Sequence, residues 1–372
     1  MPTTGDYLII GAVAGVVTFL VTPLVGRFAR WRGWLYEPSE RTVHTFPMPD
    51  IGGLAMFAGF LAAMAAARAL DRFDPLFARN SEPQGVVVAA AIIIAIGLRD
   101  DVRGLSPPAK VTGTLLAGMV LVWSGVTMYY FRVPFLGTIF LADDWVPLVT
   151  VLWLLGMTTA INLIDGLDGL AAGIVAIAGG AFFLYSQKLA DLNLLRQPNI
   201  GPMVAIIAVG VCVGFLPHNF NPARIIMGDC GALLLGLLMA VSTSVVGGRA
   251  DPTEQAFVGQ TFFFLAPLVL PLFILGVPLL DLVFAIVRRA TRRRAMDEAD
   301  KEHLHHRLMS LGHGHRRSVL ILWGWTALLS GFVLYPILTD ENPTYLPFGM
   351  AAIGLILFTV LHPSVRRQRA AR

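Results

Sequence analysis

The chain of 372 residues contains little charge. Asp, Glu, Lys and Arg make up 14% of it, against 56% for hydrophobic residues, whereas an ordinary soluble domain carries about 25% charged residues. Cysteine is scarce as well: Cys212 lies in an apolar run and Cys230 in a glycine-rich stretch, and there are no others. The composition therefore excludes an ordinary water-soluble protein, and the cysteines indicate neither a disulfide framework nor a cysteine-based zinc site.

Nucleotide-binding and targeting motifs are also missing. The sequence has no glycine-rich phosphate loop ending in Lys-Ser/Thr and no kinase motif, so ATP chemistry of those types is not indicated. No basic residue precedes the first apolar run, and Pro23, Arg27 and Arg30 follow it where a small-residue cleavage site would lie. We therefore expect the first run to be a membrane span and not a cleaved signal.

Long apolar runs recur along the whole chain, each near the roughly 20 residues that a helix needs to cross a bilayer. The fold class predicted is all-α, a polytopic integral membrane protein with about eleven transmembrane helices in one domain, residues 1–365, followed by a basic cytoplasmic tail, 366–372. The loops expected to form a functional site are 27–50, 99–110, 162–168, 218–230 and 288–317. The predicted span centres are residues 17, 60, 92, 119, 154, 177, 209, 239, 272, 328 and 353.

The distribution of Lys and Arg predicts the orientation. Loops that follow odd-numbered spans, together with the C-terminal tail, carry 21 of the 28 Lys and Arg residues. Because positively charged loops stay in the cytoplasm, the N-terminus is predicted outside and the C-terminus inside.

An acidic motif, Asn162-Leu-Ile-Asp165-Gly-Leu-Asp168-Gly169, lies between two apolar runs. An ionised carboxylate near hydrocarbon needs water, a cation or a partner, so acids at a membrane edge are functional candidates. Asp165 and Asp168 are three residues apart and would share a face in a helical backbone.

Two pairs of adjacent aspartates look alike in sequence, but the predicted topology separates them. Asp100-Asp101 ends an apolar run on the cytoplasmic side and, read alone, is equally a solvated helix end. A helix C-terminus disfavours negative charge, however, and a bound cation would explain the position of the pair better. Asp143-Asp144 falls on the opposite side and is predicted to be a solvated loop.

A third motif, Asn219-Phe-Asn-Pro-Ala-Arg-Ile-Ile-Met-Gly-Asp229-Cys-Gly231, combines amides and an acid between small residues. Read alone, it is equally a polar loop with a glycine-flanked turn. An aspartate between glycines can approach a metal ion closely, and carboxylates gathered from several loops suit Mg²⁺.

Histidine is concentrated at one place, since five of the eight histidines fall within the thirteen residues 303–315. Attraction to anionic lipid explains the arginines at 288–294 but not these histidines, which suit phosphate binding or, alternatively, a transition-metal site. The site candidates selected from this cluster are His303, His305, His306 and Arg307. Two basic residues of an earlier loop on the same face, Arg41 and His44, are added to them.

Carboxylates, amides and a His/Arg cluster on one membrane face together indicate a Mg²⁺-dependent phosphoryl-transfer site. The acids would hold the metal ion, and the basic groups would neutralise phosphate charge. A membrane location indicates that one substrate is a lipid.

The ordered motifs Asp100-Asp101, Asn162 to Gly169, Met227-Gly-Asp229-Cys-Gly231 and His303-Leu-His-His-Arg307 resemble those of the polyprenyl-phosphate N-acetylhexosamine-1-phosphate transferase family. The resemblance covers about residues 35–320. It implies transfer of a sugar-1-phosphate from a UDP-sugar to a polyprenyl phosphate, giving a diphosphate-linked lipid and UMP, as the first membrane step of a cell-envelope glycan pathway. The histidine motif and the span count resemble the N-acetylglucosamine-1-phosphate transferases more than the phospho-MurNAc-pentapeptide transferases.

The resemblance also implies roles for individual residues. Asp229 would be the principal Mg²⁺ ligand, joined by Asp101, with Mn²⁺ as a substitute ion, and Asp100 would engage the polyprenyl phosphate as the third catalytic aspartate. One departure is Asp50, since related sequences often have a basic residue before the Gly-Gly pair. The remaining substrate-binding candidates are, for the nucleotide pocket, Asn162, Asp165, Asp168 and Asn219, and for the diphosphate and sugar, His303, His305, His306 and Arg307.

The partners expected are UDP-GlcNAc, a polyprenyl phosphate and the bacterial plasma membrane, with no nucleic acid. The small-residue spacing Gly11–Gly15 is weak support for a homodimer. Two alternatives stay open: a transferase of another UDP-sugar, such as the MurNAc-pentapeptide donor, and, more remotely, a secondary transporter. A transporter would place its polar groups near the bilayer midplane and not at one interface.

Overall fold

The computed structural model describes residues 2–36, 46–78, 80–133, 137–248, 313–339 and 345–361. The described part is mostly helical, and its α-helices are numbered here in chain order. They are α1 Thr4–Arg32, α2 Gly53–Arg68, α3 Asp74–Phe77, α4 Glu82–Arg103, α5 Pro107–Trp123, α6 Trp145–Ile164, α7 Leu170–Asp191, α8 Gly201–Asn219, α9 Gly228–Gly247, α10 His315–Leu338 and α11 Leu346–Leu361.

Six of these helices are long and apolar enough to cross a membrane, namely α1, α6, α7, α8, α9 and α10. A seventh span results if α2 and the segment Asp71–Phe77, bent by 90° relative to it, count as one. The chain is a multi-pass membrane protein. Helices also lie at the predicted centres 92, 119 and 353, as α4, α5 and α11, whereas the centre at 272 lies outside the described residues.

The prediction of a purely helical fold missed two short hairpins. Strand β1, Leu35–Tyr36, pairs antiparallel with β2, Met48–Pro49, and β3, Tyr130–Val133, pairs antiparallel with β4, Gly137–Phe140. Both lie beyond helix ends, where apolar periodicity carries no information on strand pairing.

Several helices continue into the segments that were expected to be loops. Helix α4 includes Asp100 and Asp101, α6 includes Asn162, and α8 includes Asn219. A hydropathy pattern predicts which residues lie in the bilayer and not where a helix ends. Polar residues in the last turn of a helix are therefore predicted as loop residues.

Helix α9 lies at the centre of the described helices. Asp229 excepted, every residue of α9 is buried, and the helix contacts α2, α4, α6 and α8. An almost wholly apolar helix requires such surroundings, and Asp229 in its first turn is the one residue of the helix that is not buried.

Glycines bring two neighbouring helices directly onto the start of α9. A Cβ on Gly53 of α2 would lie 2.2 Å from the nitrogen of Gly231, and a Cβ on Gly97 of α4 would lie 2.3 Å from the Cα of Cys230. Neither position accepts a larger residue, so the backbones of α2, α4 and α9 meet at one point.

The small-residue face of α1 packs inside the chain. A Cβ on Gly11 would lie 2.9 Å from Ile206, and one on Gly15 would lie 3.1 Å from the carbonyl oxygen of Gly210, both in α8. These glycines therefore serve the contact between α1 and α8 within one chain, and the homodimer stays a prediction.

Candidate active site

The predicted aspartates come together where α4, α6 and α9 end or begin. Asp100 and Asp101 lie in the last turn of α4, Asp165 follows the last residue of α6, and Asp229 lies in the first turn of α9. These helix ends face one another because α9 packs against both α4 and α6. Residues separated by more than 120 positions therefore share one site.

Asp101 acts as the cap of α9. Its Oδ1 accepts a hydrogen bond from the backbone N–H of Asp229 at 2.7 Å, and its Oδ2 accepts one from the N–H of Cys230 at 3.1 Å. The first N–H groups of a helix have no partner within the helix, and a carboxylate there also complements the helix dipole. Asp101 thereby fixes the turn that presents the Asp229 side chain.

Lys110 links two of the aspartates. Its ammonium contacts Oδ2 of Asp100 and Oδ2 of Asp229, and all three side chains are largely shielded from solvent, with 15–25% exposed. Oδ1 of Asp100 also accepts a hydrogen bond from the N–H of Leu105 at 2.6 Å. Lys110 thus supplies a positive charge between two carboxylates that would otherwise repel each other.

Asp165 follows α6 and is surrounded by other acids. Burial, with the charges of Asp229, Asp101 and Asp168 in that order, raises the pKa of Asp165 well above its ordinary value. Asn162 lies one turn earlier, and its carbonyl oxygen accepts from the N–H of Asp165 at 3.3 Å. A cation that enters the site would therefore stabilise the ionised form of Asp165.

Asp50 is a further member of the acidic cluster. It lies in the loop between β2 and α2, and burial together with the negative charges of Asp101 and Asp165 raises its pKa to about 9. Its Oδ1 is buried and makes no hydrogen bond within the described residues.

Asn219 and Asp168 hold the neighbouring loops together. The Asn219 Oδ1 accepts from the N–H of Gly169 at 2.9 Å, and its Nδ2 donates to the carbonyl oxygen of Ile225 at 3.0 Å. Oδ2 of Asp168 accepts from Nδ2 of Asn221 at 2.9 Å and from the N–H of Ala223 at 3.2 Å. Both side chains are buried, so in this structure they position loop 220–227. Their role in a nucleotide pocket stays a prediction.

The start of α10 is attached to the same loop. His315 Nε2 lies 3.9 Å from Oδ2 of Asp168, and Arg316 Nε donates to the carbonyl oxygen of Asn221 at 2.8 Å. The end of the histidine-rich segment therefore reaches the site. The candidates of that segment and of the first loop lie outside the described residues, namely His303, His305, His306, Arg307, Arg41 and His44.

Asp143 and Asp144 lie at the opposite end of α6 from Asp165. Both are exposed and precede α6, a helix of 20 residues whose other end leads to Asp165. A helix of that length spans about 30 Å, so this aspartate pair is separate from the cluster.

The donor set suits a hard cation. Apart from the Lys110 ammonium and the buried Cys230 thiol, the side chains that meet here are carboxylates, whose oxygens are the ligands that Mg²⁺ prefers. The Oδ1 of Asp50 is buried without a hydrogen bond from a described residue and is available to a cation. Across the described ranges, no group of three or more His, Cys, Asp or Glu side chains is placed to hold a metal ion. In this arrangement both oxygens of Asp101 accept hydrogen bonds from the start of α9, and the ammonium of Lys110 contacts Asp100 and Asp229.

Lys110 and Asp50 were not selected as site residues from the sequence. Lys110 is a lone basic residue in the first turn of an otherwise apolar helix, soon after Pro107-Pro108. That position is a signal by the same reasoning that selected the aspartates. Asp50 was noted only as a departure from the family pattern, and its place among the other acids depends on contacts between distant segments.

Comparison with known proteins agrees with these motifs. Residues 83–247 match the family model described as glycosyl transferase family 4. The chain is 37% identical to the decaprenyl-phosphate N-acetylglucosaminephosphotransferase of Mycobacterium leprae (strain TN), over 98% of this chain and 92% of that protein.

Two further relatives carry different names. The probable undecaprenyl-phosphate N-acetylglucosaminyl 1-phosphate transferase of Bacillus subtilis (strain 168) is 35% identical over 88% of this chain and 85% of its own length. The phospho-N-acetylmuramoyl-pentapeptide-transferase of Desulforudis audaxviator (strain MP104C) is 31% identical over 84% of this chain and 93% of its own length. All three are named as transferases, which favours an enzyme over a transporter.

Proposed function

We propose that this chain, which belongs to glycosyl transferase family 4 and is a phosphotransferase, transfers GlcNAc-1-phosphate from UDP-GlcNAc to a polyprenyl phosphate and releases UMP. The observation that carries the proposal is the joining of Asp100, Lys110 and Asp229 at the start of α9, beside the Asp101 cap. That arrangement combines a cation-binding group with a positive charge at a membrane edge.

The choice of GlcNAc follows the relatives. Two relatives named for N-acetylglucosamine transfer match this chain at 37% and 35% identity, above the 31% of the relative named for the MurNAc-pentapeptide, while a third relative named for N-acetylglucosamine transfer matches at 26%. A phospho-MurNAc-pentapeptide transferase is the second candidate, supported by that relative.

We assign the metal ligation to Mg²⁺, held by Asp229 and Asp101, with Mn²⁺ as a substitute. When bound, the ion would neutralise charge on the diphosphate of the UDP-sugar. Asp101 keeps Asp229 in place through the first turn of α9, so loss of the cap would displace the other ligand.

The reaction is written as an in-line displacement. An oxygen of the lipid phosphate forms a bond to the β-phosphorus of UDP-GlcNAc, and the bond from that phosphorus to the bridging oxygen breaks, so that UMP leaves with the electron pair. Asp100 engages the lipid phosphate, and the ammonium of Lys110 opposes the negative charge of the two substrates.

The other candidates serve the nucleotide-sugar. Asp165 lies at the end of α6 within the electrostatic influence of Asp229 and Asp101. We assign it to the nucleotide pocket with Asn162, Asp168 and Asn219, the latter two acting through loop 220–227. We assign the diphosphate and sugar to the basic groups His303, His305, His306 and Arg307, with Arg41 and His44. We also assign the site to the cytoplasmic face of the bacterial plasma membrane, on the basis of the distribution of Lys and Arg in the sequence.

Release of UMP by the purified protein tests the proposal. We expect UMP when UDP-GlcNAc and decaprenyl phosphate are both present with Mg²⁺, and none when a chelator replaces the ion. Turnover only with the MurNAc-pentapeptide donor would replace the proposed substrate, and Mg²⁺-dependent release that survives Asp229→Asn would remove the assigned site. The matched control is Asp143→Asn, an exposed aspartate at the far end of α6.

A further inference from the structure

A groove on the surface of the described helices lies between α1 and α8. It has a volume of about 490 Å³, and its lining is almost entirely apolar. The lining residues of α1 extend from Leu8 to Leu20, so the groove is about 18 Å long. Its average cross-section is then about 27 Å². One extended hydrocarbon chain fits into that width, whereas two chains side by side do not.

The groove opens toward the bilayer. Both α1 and α8 are long and apolar enough to cross a membrane, and the large side chains at the edges of the groove, such as Val16, Leu20 and Val213, are exposed. In a membrane an apolar surface of this kind is in contact with hydrocarbon. The chemistry of the lining therefore favours a lipid chain as the occupant.

Basic residues gather at the end of the groove that lies toward the active site. Phe19, which lines this end, packs against the ring of His218 with 4.9 Å between ring centroids. The carbonyl oxygen of Phe19 lies 3.0 Å from Nε2 of His218. Further along the same two segments, Nη2 of Arg30 donates to the carbonyl oxygen of Arg224 at 3.5 Å. Arg27, Arg30 and Arg224 are all exposed, and these three residues are called the basic cluster here.

No acidic residue offsets these charges on the segments that form the groove and the basic cluster. Residues 7–36 contain neither Asp nor Glu, and residues 201–227 contain none either. Arginine forms paired hydrogen bonds with phosphate oxygens, and basic side chains beside a membrane attract anionic lipid head groups. An apolar groove that leads to such a cluster is therefore complementary to a lipid with a phosphate head group.

The number of chains distinguishes the candidate lipids. A bilayer phospholipid has two acyl chains, and the groove has room for one. A polyprenyl phosphate has a single chain and a single phosphate, so it matches both the width of the groove and the charge at its end. Arg224 also lies in loop 220–227, which leads into α9 and Asp229, so a phosphate at the basic cluster would be held beside the loop that borders the active site.

We propose that the groove between α1 and α8 is a docking site for polyprenyl phosphate, separate from the aspartate cluster. The isoprenoid chain lies along the two helices, and the phosphate lies at the basic cluster. The inference rests on the proposed function, because the identity of the lipid is taken from it. No chemical step takes place in the groove, which holds the acceptor before its phosphate enters the active site.

The test is photo-crosslinking of the full chain in phosphatidylcholine nanodiscs. The probe is a decaprenyl phosphate analogue that carries a diazirine in its isoprenoid chain, and no UDP-sugar is added. We expect crosslinks in the peptides of α1 and α8, mapped by mass spectrometry, and their loss when unlabelled decaprenyl phosphate competes. Phosphatidylglycerol and decaprenol, at the same concentration, are expected to compete poorly, since one has two chains and the other has no phosphate.

Two variants test the two parts of the site. Ala12→Phe puts a ring into the groove at an exposed position and is expected to lower crosslinking of α8 about 10-fold, since the ring takes the space of the chain. Its matched control is Ala351→Phe, an exposed alanine of α11. Arg30→Gln combined with Arg224→Gln is expected to weaken binding about 30-fold, from roughly five-fold for each basic residue beside an anionic lipid. Arg317→Gln is the matched control for charge.

Several results would overturn the docking site. Crosslinks absent from both helices would mean that a bilayer phospholipid or a second copy covers the groove. Equal competition by phosphatidylglycerol would contradict a single-chain occupant, and equal competition by decaprenol would contradict the phosphate contact. Size-exclusion elution and melting verify folding. If Ala12→Phe does not fold, Val213→Phe replaces it, and crosslinking at the wild-type level in the folded variant overturns the inference.

UMP release, measured separately, distinguishes this inference from the proposed function. UMP release without crosslinks in α1 and α8 would remove the docking site and leave the proposed function standing. Crosslinks that decaprenyl phosphate displaces, in a protein that releases no UMP from UDP-GlcNAc, would leave the docking site and remove the proposed function.

Discussion

Oδ1 of Asp101 accepts a hydrogen bond from the backbone N–H of Asp229, with 2.7 Å between oxygen and nitrogen, so the end of α4 caps the start of α9. The second oxygen of Asp101 accepts the next N–H, that of Cys230. One side chain therefore determines where the first turn of α9, and with it the Asp229 carboxylate, lies relative to α4.

Asp101→Asn is expected to lower both stability and activity. An asparagine has only one oxygen on its side chain, so its NH₂ group would face one of the two backbone N–H donors and that hydrogen bond would be lost. Loss of a helix cap lowers the free energy of unfolding by about 0.5–2 kcal/mol. Thermal unfolding in detergent and UMP release measure the two effects. An unchanged melting temperature would show that the cap does not hold α9.

Lys110→Met is expected to reduce kcat by about 100-fold or more, the size of effect seen when one charge-stabilising group is removed from an active site. The methionine keeps the length of the side chain but leaves Asp100 and Asp229 without their shared counter-charge. The assay is UMP release at saturating UDP-GlcNAc and Mg²⁺. Lys110→Arg should recover part of the rate, and equal rates for Lys110→Met and wild type would exclude a role in turnover.

Gly97→Ala is expected to abolish activity, because its Cβ would lie 2.3 Å from the Cα of Cys230 and push the start of α9 away from α4. Gly180→Ala in α7 is the matched control, since a Cβ there meets nothing within 4 Å. Replacing glycine in a helix by alanine is then favourable by up to about 1 kcal/mol. UMP release, folding yield and melting temperature of the two variants check the contrast, and equal behaviour of both variants would contradict it.

Asn219→Ala is expected to destabilise the protein by about 1–3 kcal/mol for each buried group left without a partner. The groups affected are the N–H of Gly169 and the carbonyl oxygen of Ile225. We expect a lower melting temperature together with a higher KM for UDP-GlcNAc, since loop 220–227 loses its anchor. A raised KM with unchanged melting would instead indicate direct contact between Asn219 and the nucleotide.

The metal-free protein is expected to lose stability as the pH rises. The pKa of Asp50 is raised in the folded protein to about 9 from 3.8, so above pH 4 the folded state holds a proton that the unfolded state has released. The contribution of Asp50 to the free energy of unfolding is therefore fully present below pH 4 and is lost as the pH rises through 9. Melting in a chelator at pH 6 and pH 8 measures the loss, which should shrink in Asp50→Asn.

The sequence predicted the part of the site that residue type reveals. Asp100, Asp101 and Asp229 were selected as acids at membrane edges, and the structure places them together, with Asp143 far away. The sequence did not reveal that the side-chain amide of Asn219 forms hydrogen bonds with backbone groups, because residue type does not give the direction of a side chain. Nor did it reveal the contact of Lys110 with Asp229, since that contact joins segments about 120 positions apart.

Helix limits were predicted less well for a related reason. Asp100 and Asn162 are polar and were placed in loops, yet both lie in helical turns. A polar last turn can be stabilised by a partner on another helix, as when the backbone N–H groups at the start of α9 donate to Asp101. A hydropathy pattern contains no information on such partners.

The packing of α1 on α8 also constrains how the protein is made. Gly11 and Ile206, which meet across this contact, are separated by about two hundred residues of synthesis. At about 5–20 residues per second, the first helix spends some 10–40 seconds in the bilayer before its partner emerges. During that interval its glycine face is covered by lipid or by the insertion machinery, and closing the pair is among the later events of assembly.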